Sequence, residues 1–144
     1  MKSMTVMLVD DEAPFVETMA KRLRKRKFEI IPAFGGREAL EKLDNDGNVD
    51  IVILDVKMPG MDGIETLREI KRNHPLVEVI MLTGHATVES AIEGMKLGAY
   101  DYLMKPCDMD TLMAKVNEAR AKKAKHEDKI LEAQMKEITL RRGF

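Results

Sequence analysis

The sequence predicts an α/β fold built around a doubly wound, five-stranded parallel sheet. Two observations lead to this class: the chain contains five short apolar runs of the length of a buried strand, and a segment with helical spacing follows each run. Strict alternation of strand and helix implies right-handed crossovers, which place helices on both faces of the sheet. The usual strand order for five such units is 2-1-3-4-5.

The apolar runs define the predicted strands. They occupy, in chain order, residues 5–9, 28–33, 51–54, 77–82 and 102–104. Each run is far shorter than the roughly 20 apolar residues that a membrane-spanning helix needs. We therefore expect five buried strands and no membrane span.

Apolar residues at helical spacing follow the first four strands. The four stripes are Phe15, Met19 and Leu23; Ala39, Leu40 and Leu43; Ile64, Leu67 and Ile70; and Val88, Ala91, Ile92 and Met95. Pro14 suits the first turn of the first helix, and Gly35 with Gly36 opens the second. Asp62 is placed to cap the third helix, and Gly98 to end the fourth. Each stripe predicts a helix that packs against the sheet.

A fifth helix follows the last strand and continues into the C-terminal tail. Its apolar residues are Leu112, Met113, Val116 and Ala119, and a narrower stripe comes later at Ile130, Leu131, Met135 and Ile138. Only alanines are apolar between residues 120 and 129, so packing against the sheet should stop there. Neither Gly nor Pro interrupts the tail before Gly143, which predicts helix to about residue 140. We therefore expect a domain at residues 1–120 and a helical C-terminal extension at 121–144 that continues the fifth helix.

The tail needs a partner, because an isolated helix of this length is marginally stable in water. Self-association into a homodimer, a neighbouring output domain or a target protein could each supply one. A frayed, solvated tail is the alternative. From Met109 onward the chain has nine cationic and six acidic side chains, a net charge of +3, while the remainder carries −4.

Composition limits the classes of protein that fit. A hydrophobic content of 44% over 144 residues suits one domain with one core. Cys107 is the single cysteine, so no internal disulfide forms, and residues 1–5 lack the basic and apolar start of a secretory signal. We therefore expect a cytoplasmic protein. Its net charge of −1 gives no reason to expect direct binding to nucleic acid or membrane.

Polar side chains follow four of the predicted strands, at the point where each strand ends. In chain order they are Asp10 and Asp11, then Asp55, then Thr83, which Gly84 follows, and finally Lys105, which Pro106 follows. Ligands of a doubly wound sheet bind outside the carboxyl ends of strands 1 and 3, where the winding reverses. We therefore expect these side chains to face one crevice.

The three carboxylates in this crevice would repel one another, and without compensation at least one would hold a proton at neutral pH. A cation removes the conflict, and oxygen ligands without Cys or His favour Mg²⁺. An oxygen of Asp55 can then attack a phosphoryl group. Lys105, the Thr83 hydroxyl and the Gly84 amide can pair with the phosphoryl oxygens. These residue types predict a magnesium-dependent site of phosphoryl transfer.

Four segments carry a resemblance to a known family. They are MLVDDE at 7–12, ILDVKMPGMDG at 53–63, MLTGH at 81–85 and YLMKP at 102–106. With these segments the chain resembles the receiver domain of a bacterial two-component response regulator over about residues 4–120, most closely the nitrogen-regulation (NtrC-type) class. The resemblance implies a flavodoxin-like, or CheY-like, three-layer sandwich with the strand order 2-1-3-4-5.

The resemblance also implies which residues hold the metal and accept the phosphate. Asp10 and Asp11 would form the acidic pair that binds Mg²⁺, with Mn²⁺ as an alternative cation. Asp55 would be the phospho-acceptor and a further metal ligand. The backbone carbonyl of Lys57 would complete the protein's contribution to the metal site.

Further roles follow from the same resemblance. Thr83 and Lys105 would hold the phosphate. Tyr102 would be an aromatic switch that turns inward when Thr83 moves toward the phosphate. The peptide bond between Lys105 and Pro106 would be cis, a form that costs little before proline.

As a member of this family, the chain would be a switch rather than an enzyme. It would take its phosphoryl group from a sensor histidine kinase or a phosphotransfer protein and lose it by self-catalysed hydrolysis. Phosphorylation would change the surface formed by the fourth helix, fifth strand and fifth helix, which would control a partner or an output domain.

Three other classes of function deserve comparison with this one. A haloacid-dehalogenase-like phosphatase also uses a strand-end Asp with Mg²⁺, but it requires a second Asp two residues later, where this chain has Lys57. A flavin or nucleotide carrier would need a phosphate-binding loop after Val9, where acidic residues stand instead. A phosphorylation-independent receiver that only binds partners is the third class, and the complete set of site residues argues against it.

Overall fold

Five strands alternate with five helices within residues 3–141, the range that the computed structural model describes. In chain order the elements are β1 (Thr5–Val9), α1 (Ala13–Lys25), β2 (Glu29–Ala33), α2 (Gly36–Asn45), β3 (Ile51–Leu54), α3 (Gly63–Asn73), β4 (Glu78–Thr83), α4 (Val88–Lys96), β5 (Asp101–Met104) and α5 (Met109–Arg141). The strands form one parallel sheet in the order β2-β1-β3-β4-β5. The predicted fold class and strand order are therefore confirmed.

Side chains of the sheet alternate between two hydrophobic clusters, one on each face. In β1, Met7 and Val9 belong to the cluster that packs under α2 and α3. Val6 and Leu8 belong to the opposite cluster, under α1 and α5. The fold is thus a three-layer sandwich with helices on both faces of the central sheet.

Four strand boundaries, in β2, β4 and β5, differ by one residue from the predicted ones, because backbone pairing rather than side-chain hydrophobicity sets them. β2 begins at Glu29, which pairs with Thr5 of β1. β4 runs from Glu78 to Thr83, and β5 begins at Asp101. These polar residues lie in the ladder although they do not extend the apolar runs.

The helix ends follow the local signals of the sequence. Pro14 lies in the first turn of α1, and α2 begins at Gly36. The Asp62 side chain caps α3 by accepting a hydrogen bond from the Glu65 N–H at 2.9 Å. Gly98 follows α4 with φ of 105°, a left-handed conformation that favours glycine.

The apolar stripe predicted for the fourth helix does not face the core, so that prediction was wrong. Val88, Ile92 and Met95 are 77%, 51% and 46% exposed. Gly94 is the buried residue of this helix, and a side chain there would contact Tyr102 of β5. Because α4 turns its glycine toward the sheet, its larger apolar side chains lie on the solvent side.

The fifth helix is continuous from Met109 to Arg141, as the sequence predicts. Leu112, Val116 and Ala119 are its buried residues. The predicted extension reaches residue 144, but residues 142–144 lie outside the described range. Within that range, none of the helices combines the length and the apolar character needed to span a membrane.

Two lysines extend the contact between α5 and the sheet beyond the buried stripe. Lys122 Nζ lies 3.3 Å from Glu78 Oε2, and Lys123 Nζ lies 3.2 Å from Asp50 Oδ1. Glu78 is 3% exposed and also pairs with Lys71 Nζ at 3.4 Å. Apolar packing of α5 against the core therefore ends at Ala119, as predicted, and ion pairs continue the contact beyond it.

A close backbone approach fixes the start of α3 against the loop after β3. The Gly63 N–H donates to the Val56 carbonyl at 2.6 Å. A Cβ at position 63 would overlap the Asp55 carbonyl oxygen and lie 2.7 Å from Val56 Cα. Only glycine therefore fits where α3 meets the backbone of Asp55.

We expect Gly63→Ala to lower the free energy of unfolding by about 1–3 kcal/mol, because the added methyl group must displace backbone atoms. Urea unfolding followed by circular dichroism measures this change. Gly47→Ala is the matched control, since a Cβ at Gly47 has no heavy atom within 4 Å. A loss of stability in Gly63→Ala no larger than in Gly47→Ala would contradict the close approach.

Candidate functional site

Three carboxylates meet at the carboxyl edge of the sheet. Asp10, Asp11 and Asp55 each offer an oxygen, and the three oxygens lie within 4.8 Å of one another. Asp10 and Asp55 are 3% and 2% exposed, whereas Asp11 is exposed. The structure therefore brings together the acidic residues that the sequence assigns to a metal site.

Backbone pairing brings the first and third strands' aspartates side by side. The Asp10 N–H donates to the Ala33 carbonyl at 3.1 Å, and the Asp55 N–H donates to the Val9 carbonyl at 2.9 Å. Both bonds continue the parallel ladder one residue past the end of a strand. Because β1 and β3 are neighbours, this continuation fixes the approach of the two side chains.

The two buried carboxylates have hydrogen-bond donors within the protein. Asp10 Oδ1 accepts from the Glu12 N–H at 2.9 Å, and its Oδ2 accepts from Lys105 Nζ at 2.6 Å. Asp55 Oδ1 accepts from the Val56 N–H at 2.8 Å. One oxygen of each carboxylate is thus held by the following backbone, which orients both side chains in the crevice.

The pKa of Asp10 is raised above its ordinary value. Burial is the largest cause, and the nearby charge of Asp55 adds to it. The hydrogen bonds from Lys105 and from the Glu12 backbone act in the opposite direction but do not cancel the effect. Burial and the neighbouring carboxylate therefore disfavour the charged form of Asp10 in the protein alone.

Lys105 lies on the loop after β5 and reaches across the crevice. The Lys105 side chain is 15% exposed, and the backbone N–H of Lys105 donates to the Thr83 carbonyl at 2.9 Å. The peptide bond to Pro106 is cis. The ammonium lies 3.9 Å from Glu12 Oε1 and 3.9 Å from the centroid of the Phe15 ring, besides its bond to Asp10. Sequence reasoning treated Phe15 as a core residue and missed this contact.

Thr83 and Gly84 form the wall of the crevice at the end of β4. Thr83 is completely buried, and its Oγ1 accepts a hydrogen bond from the His85 N–H at 3.0 Å. A Cβ at Gly84 would have Lys105 Cδ as its nearest neighbour, at 3.9 Å. The backbone here is therefore open toward the lysine.

Lys57 lies in the loop between β3 and α3, and its side chain is exposed. It lines the same cavity as Asp11 and His85, with Glu12, Met58 and Pro59. The loop that carries Lys57 therefore borders the acidic cluster.

Tyr102 of β5 lies between the site and the fourth helix. Its ring is half-buried, and its hydroxyl forms a 2.6 Å hydrogen bond with Ser90 Oγ. Ser90 also closes a capping box with Thr87 at the start of α4. Ser90 was not predicted, although the spacing of Thr87 and Ser90 marks this cap in the sequence.

The donor set at the crevice suits a hard divalent cation. All three side chains offer carboxylate oxygens, two of them are buried, and neither Cys nor His belongs to the cluster. A divalent ion would favour the charged form of Asp10, which burial and the charge of Asp55 disfavour. The residues present therefore fit Mg²⁺ or Mn²⁺.

Comparison with known proteins gives a consistent result. Residues 6–117 match the family model of the response regulator receiver domain. The chain is 40% identical over 116 residues to the transcriptional regulatory protein ZraR of Escherichia coli strain K12, a match that covers 81% of this chain and 26% of ZraR. It is 35% identical over 122 residues to the luminescence regulatory protein LuxO of Vibrio campbellii, covering 83% of this chain and 27% of LuxO. The chain thus spans about a quarter of the length of these relatives.

A solved structure shows the same similarity. The CheY-like response regulator receiver domain protein of Methanospirillum hungatei superposes with a TM-score of 0.83 at 27% sequence identity. The match covers 87% of this chain and 99% of that structure. The similarity therefore extends over nearly the whole of that receiver domain structure.

We expect Asp55→Asn to raise the midpoint of thermal unfolding in metal-free protein at neutral pH. Asp55 is one cause of the raised pKa of Asp10, so removing its charge relieves repulsion in the native state. The midpoint should rise by about 2–4 °C for each kcal/mol relieved. Scanning calorimetry in EDTA measures this rise.

The stability that Asp55→Asn gains over wild type should depend on pH in a defined direction. Native Asp10 holds its proton to higher pH than in the unfolded chain, so stability falls as pH rises from 3.8, the ordinary value, through the raised pKa. The advantage of Asp55→Asn should therefore vanish at acid pH, and Mg²⁺ should remove it at neutral pH. A variant no more stable than wild type in EDTA at neutral pH would contradict this electrostatic account.

Proposed function

Because this chain belongs to the family of response regulator receiver domains of two-component signal transduction, we propose that Asp55 is the residue that accepts the phosphoryl group. The observation that carries the proposal is the position of Asp55 among the acidic residues and Lys105. Asp55 is buried at the end of a central strand, within 4.8 Å of ligand oxygens from Asp10 and Asp11. Lys105 bonds to the same acidic cluster at 2.6 Å.

Asp10, Asp11, Asp55 and the Lys57 backbone carbonyl are the groups that would hold Mg²⁺, with Mn²⁺ as the alternative. Their all-oxygen chemistry and the raised pKa of Asp10 support this assignment. When bound, the ion neutralises charge on the carboxylates and on the phosphoryl oxygens.

The side chains then position the reactants for transfer. An oxygen of Asp55 attacks phosphorus, a new P–O bond forms, and the bond from phosphorus to the donor's leaving group breaks. The Lys105 ammonium neutralises one phosphoryl oxygen, and the Thr83 hydroxyl and Gly84 N–H donate to another. Hydrolysis of the aspartyl phosphate by water returns the carboxylate, so the chain acts on itself rather than on a separate substrate.

The donor would be a sensor histidine kinase or a phosphotransfer protein, and a cytoplasmic location follows from that partner. Residues 1–120 would form the receiver, and residues 121–144 would form a helical extension that leads to an output partner or a homodimer contact. Continuity of α5 to Arg141 and the ion pairs of Lys122 and Lys123 with the sheet support a firm connection between the two parts.

Phosphorylation would be transmitted from Thr83 to Tyr102 and then to α4. Thr83 ends β4, and Tyr102 pairs with Met81 of the same strand in the ladder. The Tyr102 hydroxyl bonds to Ser90 in the first turn of α4, so inward rotation of the ring would break that 2.6 Å bond. The phosphoryl group on Asp55 would act by shifting an equilibrium between two arrangements of Tyr102 and α4.

The surface that would change is already apolar and exposed. Val88, Ile92 and Met95 of α4 and Met104 of β5 are exposed, with Met104 at 64%. Apolar side chains on a solvent face of this kind are typical of a docking surface. A phosphorylation-independent module would use the same surface, but it would have no use for the intact acidic cluster and lysine.

We expect incubation with acetyl phosphate and Mg²⁺ to add about 80 Da to the intact mass, the mass of one phosphoryl group. Asp55→Asn should acquire no adduct, and omission of Mg²⁺ should slow its formation in the wild-type chain strongly. Intact-mass spectrometry at short times measures both. A wild-type chain that gains no adduct, or a variant that gains one equally fast, would rule out Asp55 as the acceptor.

We expect the phosphorylated chain to show amide shifts in α4 and β5 as well as in the crevice. The Tyr102–Ser90 hydrogen bond connects β5 to α4, so a change at Tyr102 should reach both elements. Heteronuclear NMR spectra with and without acetyl phosphate measure this. Ser90→Ala should show part of the α4 shift without phosphate. Shifts confined to the loops around Asp55 would contradict the proposed switch.

A further inference from the structure

Phe15 is the aromatic neighbour of the crevice lysine. It lies in the first turns of α1, three residues after Glu12, where the chain leaves the acidic pair. Its ring is partly buried against the cluster under α1 and α5. The centroid of the ring is 3.9 Å from Lys105 Nζ, well inside the range of a cation–π contact.

Two kinds of group contact the Lys105 ammonium: carboxylates and the ring of Phe15. Metal binding would affect these contacts differently. Its carboxylate neighbours are Asp10 Oδ2 at 2.6 Å and Glu12 Oε1 at 3.9 Å. Asp10 is one of the groups that would bind the metal, and a bound cation would weaken its hold on the lysine. Glu12 is mostly exposed, with 60% of its side chain accessible, so its attraction is screened by solvent. The ring of Phe15 takes no part in metal binding and therefore keeps its place.

From this geometry we propose that Phe15 is a positioning residue for Lys105, which keeps the ammonium at the crevice when Asp10 turns to the metal. The inference rests on the proposed function, because it assigns Lys105 to the phosphoryl oxygens. The ring face attracts the cation through its quadrupole, and the effect is larger at a desolvated site. Lys105 is 15% exposed, so most of this attraction is retained.

A core-filling role would make a different demand on position 15. Packing against the buried cluster under α1 and α5 needs only apolar volume. Leucine supplies that volume without an aromatic face, whereas tyrosine retains the face. The pair Phe15→Leu and Phe15→Tyr therefore separates the two roles, with thermal unfolding as the check that both variants fold.

The first experiment measures the rate at which acetyl phosphate and Mg²⁺ form the ~80 Da adduct in five chains. They are wild type, Phe15→Leu, Phe15→Tyr, Lys105→Met, and Phe15→Leu combined with Lys105→Met. Phe15→Leu should be slower by about 3- to 10-fold, and Phe15→Tyr should remain within about twofold of wild type. In the Lys105→Met background, Phe15→Leu should have no further effect, because the cation that the ring holds is gone.

The second experiment detects the contact between Lys105 and the Phe15 ring without phosphoryl transfer. In NMR spectra of the wild-type chain, the ε-methylene protons of Lys105 should lie upfield because the ammonium stands over the ring. They should stay upfield when Mg²⁺ is added and move downfield in Phe15→Leu. Phe15→Tyr should keep the upfield position.

Several results would overturn the inference. One is a rate of adduct formation in Phe15→Leu equal to that of wild type. Another is that Phe15→Leu slows the reaction as much in the Lys105→Met background as in the wild-type background. A third is a chemical shift of the Lys105 ε-methylene protons that does not change when the ring is removed. A wild-type chain that forms no adduct overturns the proposed function itself. That outcome is recognised in the wild-type sample alone, before any variant is compared.

Discussion

Repulsion among three carboxylates, which backbone pairing prevents from moving apart, is the constraint on which the site depends. The ladder continues past β1 and β3 to the N–H groups of Asp10 and Asp55, so the crowding is a product of the sheet. Burial is the largest cause of the raised pKa of Asp10, and the nearby charge of Asp55 adds to it. The fold therefore crowds negative charge at one edge of the sheet, and a divalent cation bound there would neutralise it.

The same edge is connected to the rest of the molecule by a few contacts. Lys105 crosses from β5 to the acidic cluster, Thr83 brings β4 to it, and Gly63 fixes α3 against the Asp55 backbone. On the far side, the Tyr102–Ser90 bond links β5 to α4. The glycine face of α4, the Tyr102–Ser90 bond and an exposed ion pair between Glu93 and Arg68 of α3 hold this helix. Because these contacts are few, α4 is the element that we propose a small change at the crevice would move.

The sheet order, the five helices and the meeting of the acidic residues could be predicted from the sequence because each depends on a regular pattern. Alternating strands and helices set the topology, and strand-end positions set the crevice. Contacts that depend on a particular distance could not be predicted this way. The spacing of Phe15 fits the core stripe of α1 equally well whether or not a lysine from β5 lies on its ring. Val88 and Ile92 fit an amphipathic helix, yet the fold turns Gly94 inward instead. The sequence around Lys122 and Lys123 is typical of a solvated helix. Their ion-pair partners, Glu78 and Asp50, come close only in the folded chain.

Direct binding of Mn²⁺ tests the central claim, which is that the acidic cluster is built to be neutralised by a divalent cation. Electron paramagnetic resonance of free Mn²⁺ during titration gives the number of ions bound per chain, and Mg²⁺ competition gives the preference. The account predicts one Mn²⁺ per chain, displaced by Mg²⁺ and strongly weakened by Asp10→Asn. Wild-type protein that binds no Mn²⁺ at millimolar concentration, or that binds it equally well after Asp10→Asn, would contradict it.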